Sequence, residues 1–179
     1  MISEHETTIR VHYHEVDGQG RVHNSNYLSY FERGRVEMLR ASGISYKELE
    51  STGLMLVVRM MHVDFHAPAV FDDLLVLKTR LGYCHGARIE HHYRLVRPRA
   101  ASRDEAALEA TKTPFTGASQ QESTGGDLNG GDLNGGDLNG GDLIVSGRSE
   151  IGCVDATGRV RRLPAFLQLN LRGDRDGDS

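Results

Sequence analysis

The apolar positions of this chain change period once, and the change divides it. Between Asn24 and Ser42, the residues Tyr27, Leu28, Phe31, Gly34, Met38 and Leu39 fall on one stripe at helical spacing. Arg33, Glu37 and Arg40 share the other side, with Arg33 and Glu37 spaced as an ion pair along a helix. Asn24 or Ser25 can cap this helix and Gly43 can stop it. A shorter helix is expected over residues 46–51, with Ser45 as its cap.

From Leu54 onward the period is two. Met55, Val57, Met61, Val63 and Phe65 alternate with polar neighbours up to Ala67-Pro68. Leu75, Leu77, Leu81 and Tyr83 alternate against Lys78 and Arg80, and Ile89, His91, Tyr93 and Leu95 against Arg88, Glu90, His92 and Arg94. A further strand is expected over residues 143–154, followed by an Asp155-Ala-Thr-Gly158 turn and a return strand over 159–163. Residues 9–14 also alternate and are expected to form the first strand. Long strands with one apolar face make an antiparallel sheet packed on something. One long helix beside such a sheet is an α+β arrangement in which the sheet wraps the helix to bury its stripe.

Residues 98–142 do not follow this pattern. They contain a helix-like run at 103–110, a Ser/Gln/Thr-rich stretch, and a tandem repeat: Gly-Gly-Asp-Leu-Asn three times from Gly125, then Gly-Gly-Asp-Leu-Ile. Glycine at two of every five positions makes ordering entropically costly, so a flexible insertion between two core strands is expected. Calcium-binding solenoids repeat every nine residues, not five, and four such units are too few to bury a core as a β-helix. The charged, glycine-rich residues 173–179 are expected to be a disordered tail, leaving 1–172 as one domain that carries the insertion.

Composition narrows the function classes. At 179 residues and 38% hydrophobic content the chain can bury one core, and a net charge of −4 argues against a nucleic-acid-binding protein. No apolar run is long enough to span a membrane, and the first residues lack the basic-then-apolar pattern of a secretory signal. Cys84 and Cys153, far apart in sequence, are expected to be reduced core residues of a cytoplasmic protein.

The chemistry concentrates just before the long helix. Residues 15–31 place Asp17 in a loop with Gly18 and Gly20 that runs straight into the helix start. A helix N-terminus offers unpaired N–H donors and partial positive charge, which can polarise a carbonyl. A carboxylate beside it can attack that carbonyl or activate water against it. The bland alternative is a turn aspartate bonded to its own backbone.

Asp17, Gly20, Val22, Asn26-Tyr27-Leu28 and Phe31-Glu32 resemble the signature of hotdog-fold acyl-CoA thioesterases of the 4-hydroxybenzoyl-CoA thioesterase type. The similarity continues through residues 35–40, 57–60, 63–68 and 72–74 and ends at Cys153-Val-Asp155 and Arg162-Leu-Pro164; it is greatest to the Tol–Pal-associated branch. The resemblance implies a hotdog fold, with a long central helix wrapped by a five- to six-stranded antiparallel sheet. It also implies dimers or tetramers joined through their sheets, with acyl-CoA as substrate and sites at the dimer interface. No metal or other cofactor is implied, since a thiolate leaves without much protonation.

By the same resemblance Asp17 is the catalytic carboxylate, and the backbone N–H near Asn24 holds the thioester carbonyl. The branch carries Tyr-His where this chain has His23-Asn24, so His23 is a further catalytic candidate at a point of departure. Gly20 and Tyr27 are candidates for substrate contact, and Arg59, Arg88 and His85 for the phosphates of coenzyme A. A hotdog dehydratase or hydratase and a non-catalytic acyl-binding module are the alternatives. His12 and His14, or His62 and His66, could share a strand face as zinc ligands, but no third partner is evident. Glu32 and Glu37 are alternative catalytic carboxylates, Glu37 being more simply explained as the partner of Arg33.

Overall fold

The computed structural model describes residues 2–98 and 141–167. The helix-like run at 103–110, the repeats before Gly141 and the expected tail all lie outside the described residues. Five strands form one antiparallel sheet: β1 (Glu4–Arg10), β2 (Leu54–Phe65), β3 (Leu74–His85), β4 (Arg88–Arg97) and β5 (Asp142–Asp155). Their order across the sheet is β1-β3-β4-β5-β2, so β1 and β2 are its edges. Two helices accompany them, α1 (Asn24–Ala41) and α2 (Tyr46–Ser51).

The helix α1 lies against one face of the sheet by the stripe its sequence carries. Phe31 stacks on Tyr93 of β4 with ring centroids 4.3 Å apart. Gly34 is the point of closest approach: a Cβ there would overlap Thr79 Oγ1 and lie 2.6 Å from Leu77 Cδ2 on β3. The stripe is wider than its apolar residues. Tyr30 and Arg35 are buried, whereas Leu28 is 43% exposed. Tyr27, Tyr30 and Phe31 join Leu75, Leu77, Tyr93 and Leu95 in one core cluster, and Leu39 joins Ile89, Ile151 and Cys153 in a second. Cys84 and Cys153 are buried, as expected of core residues.

Three expectations are corrected. The first strand is Glu4–Arg10 rather than 9–14, because residues 13–15 close a 3-10 turn in which Glu15 Oε2 accepts from the His12 N–H at 2.6 Å. Glu37 pairs with Arg40, one turn ahead, rather than with Arg33. The return after Asp155 is a single bridge, Val154 to Val160, instead of a full strand. That turn is held by Asp155, whose carboxylate accepts from Thr157 Oγ1, the Arg159 N–H and Arg161 Nε.

Register shifts also alter the reading of the strands. The pairing of β2 with β5 slips between Val58 and Met60, leaving Arg59 as the extra residue. An extra residue in a period-2 strand reverses which side chains face the core. Met61 and Val63 accordingly pack on the core, whereas Met55 and Val57, of the same sequence parity, are exposed. A second slip, between Leu81 and Cys84, buries Cys84 and leaves Tyr83 37% exposed.

Candidate active site

Asp17 sits at the tip of a small antiparallel loop that returns directly into α1. Val16 bridges Val22, the Asp17 N–H donates to Arg21 O at 2.8 Å, and the His23 N–H donates to Glu15 O at 2.9 Å. The tip is a tight turn: the Gln19 N–H donates to Asp17 Oδ1 at 2.8 Å and the Gly20 N–H to Asp17 O at 2.9 Å. Gly20 holds a positive φ of 73°, a conformation that other residues adopt only with strain. This Asx turn engages one carboxylate oxygen and leaves the half-buried side chain at the loop surface.

Glu15 ties the loop to the helix. Its carbonyl accepts from Asn26 Nδ2 at 2.7 Å as well as from His23, and its carboxylate accepts from the Tyr30 hydroxyl at 2.8 Å. Burial, with Glu15 beside it, pushes the Tyr30 hydroxyl pKa upward, so the phenol stays a donor. Neither Glu15 nor Asn26 was singled out for a role from the sequence. Asn26 carries a signal only as part of the Asn26-Tyr27-Leu28 stretch of the family signature, and Glu15 only by its position at the head of the segment that leads into the helix.

The helix cap lies one residue earlier than Asn24, the first of the two expected caps. His23 is the N-cap: its Nδ1 lies 3.4 Å from the Ser25 N–H it accepts from and 2.8 Å from Ser25 Oγ. Asn24 is the first helical residue and is exposed. A first helical N–H has no partner within its own helix, so it points outward as a free donor. The ring of His23, with Nδ1 engaged in capping, has Nε2 left to meet solvent or substrate.

The remaining candidates divide. Tyr27 is 3% exposed, packs edge-on against Phe65 and Tyr30, and accepts at its hydroxyl from the Ala69 N–H at 3.4 Å. It can offer a substrate a wall rather than a hydroxyl. Arg59 and Arg88 are brought together on Glu150: Arg59 Nη1 bonds Oε1, Arg88 Nε lies 3.6 Å from the same oxygen, and the Tyr83 hydroxyl donates to Oε2 at 2.8 Å. The Tyr83 hydroxyl foremost, with Arg59 behind it, holds the Glu150 carboxyl below the usual carboxylate range. This cluster stands about 20 Å along β2 from Phe65, which packs on Tyr27 near the start of α1.

The histidine pairs do not assemble a metal site. His12 and His14 flank the 3-10 turn, His62 Nε2 meets Asp64 at 3.2 Å, and His66 Nε2 meets Ser146 Oγ at 2.8 Å. Among the described residues no three His, Cys, Asp or Glu side chains gather around a point. No helix among them is long and apolar enough to cross a membrane.

An antiparallel sheet carrying one long helix, with a carboxylate loop feeding that helix, defines the class as hotdog-type. The thioesterase-like superfamily model matches residues 11–171, and the chain belongs to that family. The acyl-CoA thioester hydrolase YbgC of Escherichia coli O6:H1 is 35% identical over 88 residues, covering 49% of this chain and 66% of that protein. The acyl-CoA thioesterase YbgC of Haemophilus influenzae is 37% identical over 90 residues, covering 50% of this chain and 66% of that one. The chain thus spans just under two thirds of the length of these relatives. A probable thioesterase from Bartonella henselae has a similar crystal structure, with a TM-score of 0.62 and 28% identity over 90% of this chain and 99% of that one. The resemblance to hotdog-fold thioesterases read from the sequence is borne out.

Proposed function

We propose that this protein is an acyl-CoA thioesterase that hydrolyses an acyl-CoA to a free acid and coenzyme A. The observation that carries the reading is the bridged loop, which holds the Asp17 carboxylate and the start of α1 on one short antiparallel hairpin. In this reaction Asp17 attacks the thioester carbon, or takes a proton from the water that does, while the Asn24 N–H stabilises the carbonyl oxygen as negative charge develops on it. Collapse of the tetrahedral intermediate breaks the C–S bond and releases the thiolate. On the water route this leaves the free acid; on the nucleophilic route water then hydrolyses the acyl anhydride formed on Asp17 to free acid and the regenerated carboxylate. His23, whose Nδ1 caps the helix, would meet the substrate through Nε2 beside Asn24. Gly20 keeps the loop tip slim enough for close approach, and the exposed Arg59 and Arg88 offer positive charge for the phosphates of coenzyme A. No metal or cofactor enters this scheme.

The same reading includes a sheet curled round α1 as its central helix, a homodimer or homotetramer, and a cytoplasmic setting. One observation favours a second reading, a non-catalytic acyl-binding module. Asp17 closes its own turn through Oδ1, which a purely structural aspartate would also do. Release of free thiol from a panel of acyl-CoAs separates the two. Asp17→Asn keeps the turn acceptor and removes the carboxylate, so hydrolysis should fall by about a thousandfold or more while acyl-CoA still binds. Unchanged turnover in this variant would sink the mechanism, and no turnover by the native protein would favour the binding module.

A further inference from the structure

Away from the Asp17 loop, a cavity of about 310 Å³ lies between α1, α2 and strands β2, β4 and β5. Leu39, Leu56, Ile89 and Ile151 give it apolar walls, and two basic side chains, Arg35 and His91, also line it. Arg35 is 9% exposed and His91 is 4% exposed. Arg35 Nη1 donates to the Tyr93 hydroxyl at 3.1 Å, which in turn lies 2.6 Å from Ser149 Oγ. Among the described residues the guanidinium has no carboxylate partner, although Arg59 pairs with Glu150 and Arg97 with Asp73 and Asp142. Glu32 borders the cavity from an exposed position and makes no ion pair with Arg35.

A guanidinium cannot shed its proton, so its charge remains in the cavity, and an isolated buried charge is costly until something of opposite sign meets it. His91 responds differently. Burial, and behind it the charge of Arg35, holds its imidazole neutral, with a pKa pushed down to about 3. Its Nδ1 is inaccessible and has no hydrogen-bond partner. The cavity therefore offers spare guanidinium donors, a neutral imidazole and greasy walls. A planar carboxylate is the group that a guanidinium fork fits best.

Resting on the thioesterase reading, we propose that this cavity receives the far end of the acyl group and that Arg35 selects acyl chains ending in a carboxylate. Its volume of about 310 Å³ is enough for a medium-length chain and its carboxylate. Glu32 follows Asn24 by about 12 Å along the helix, so a medium-length chain spans the distance from a thioester at the helix start. The substrate class is the mono-CoA thioester of a medium-chain dicarboxylic acid. Arg35 and His91 are then determinants of specificity, remote from the bond that breaks.

The test compares adipyl-, suberyl- and sebacyl-CoA with hexanoyl-, octanoyl- and decanoyl-CoA, with 4-hydroxybenzoyl-CoA as a further arm. Alongside, free suberate or octanoate is titrated into the native protein while the His91 ring signals are followed by NMR. The expected result is kcat/KM roughly 10- to 100-fold higher for the carboxylate-ended member of at least one pair, as one charged hydrogen-bonded contact provides. Suberate, but not octanoate, should shift the His91 signals. Arg35→Gln should collapse the ratio between the pair members, and Arg35→Lys should restore part of it. Equal or reversed preference in every pair, a clear preference for 4-hydroxybenzoyl-CoA, or His91 signals indifferent to suberate would each overturn the assignment without touching the thioesterase reading. Suberate binding with no thioester hydrolysed would leave the carboxylate site standing and remove the enzymatic reading instead.

Discussion

At the level of single residues, the loop is held by main-chain atoms of Glu15 more than by the carboxylate that gives the segment its chemical interest. Asn26 reaches across eleven positions to the Glu15 carbonyl, which also receives the His23 N–H, so one oxygen fixes where the helix starts relative to Asp17. On the proposed mechanism Asn26→Ala should therefore lower kcat about 10- to 100-fold with KM nearly unchanged, because it loosens the spacing of Asp17 and the Asn24 N–H without removing either. Steady-state kinetics on a good acyl-CoA substrate check this; a rise in KM alone would place Asn26 in binding instead. His91 supports a second prediction. Its folded pKa lies near 3, below the ordinary histidine value of 6.5, so the unfolded chain binds the extra proton throughout that interval. The stabilising preference for neutral His91 is complete above pH 6.5 and is lost as pH falls toward 3, at no more than about 1.4 kcal/mol per pH unit. Urea titrations from pH 7 to pH 4 should show this loss, and His91→Gln should flatten it relative to the native protein. Arg35 was hidden in the sequence by its charge: it stands four residues after Phe31 on the buried side of the helix, and an apolar stripe drawn by hydrophobicity passes over it.

At the level of elements, the sequence reads α1 and α2 closely, because capping and periodicity are local properties. Ser45 caps α2 as expected, accepting from the Glu48 N–H at 3.3 Å. Strands are legible in place but not in facing. Met55, Val57, Met61 and Val63 share one parity, and a single bulge at Arg59 sends the first two outward and the last two inward. Nothing local to β2 announces that slip; it exists only in pairing with β5, 93 or more positions away in sequence for every paired residue from Leu54 to Val58. The misplaced first strand has the same origin. Residues 9–14 alternate, yet the Glu15 carboxylate captures the His12 N–H and closes a turn there, while the ladder to β3 is made by Glu4–Arg10. Helix and sheet meet most closely at Gly34, where any side chain must displace Leu77 and Thr79. Gly34→Ala, favourable for an isolated helix, should here destabilise the fold by about 1–3 kcal/mol through overpacking. Chemical denaturation gives the answer, and a stabilised variant would mean that α1 can lift from the sheet at no cost.

At the level of the whole molecule, the two sheet edges differ. The β1 edge carries Glu4, Glu6 and Arg10, whose charges discourage another strand from adding to it. The β2 edge is twelve residues long and exposes Met55, Val57, Val58 and Phe65. A long apolar edge left open is a template for pairing, and two copies joined there would continue one sheet through both. Such a pairing would also reach the cavity that contains Arg35, since Val58 of β2 borders it. Val57→Lys places a charge on that edge while keeping the strand, and Val57 does not line the cavity. If the edge is the joint, sedimentation should show the variant moving to a smaller species. Turnover per chain should fall with it and recover at high protein concentration, as mass action requires. A variant of unchanged mass and activity would rule out the β2 edge as a joint.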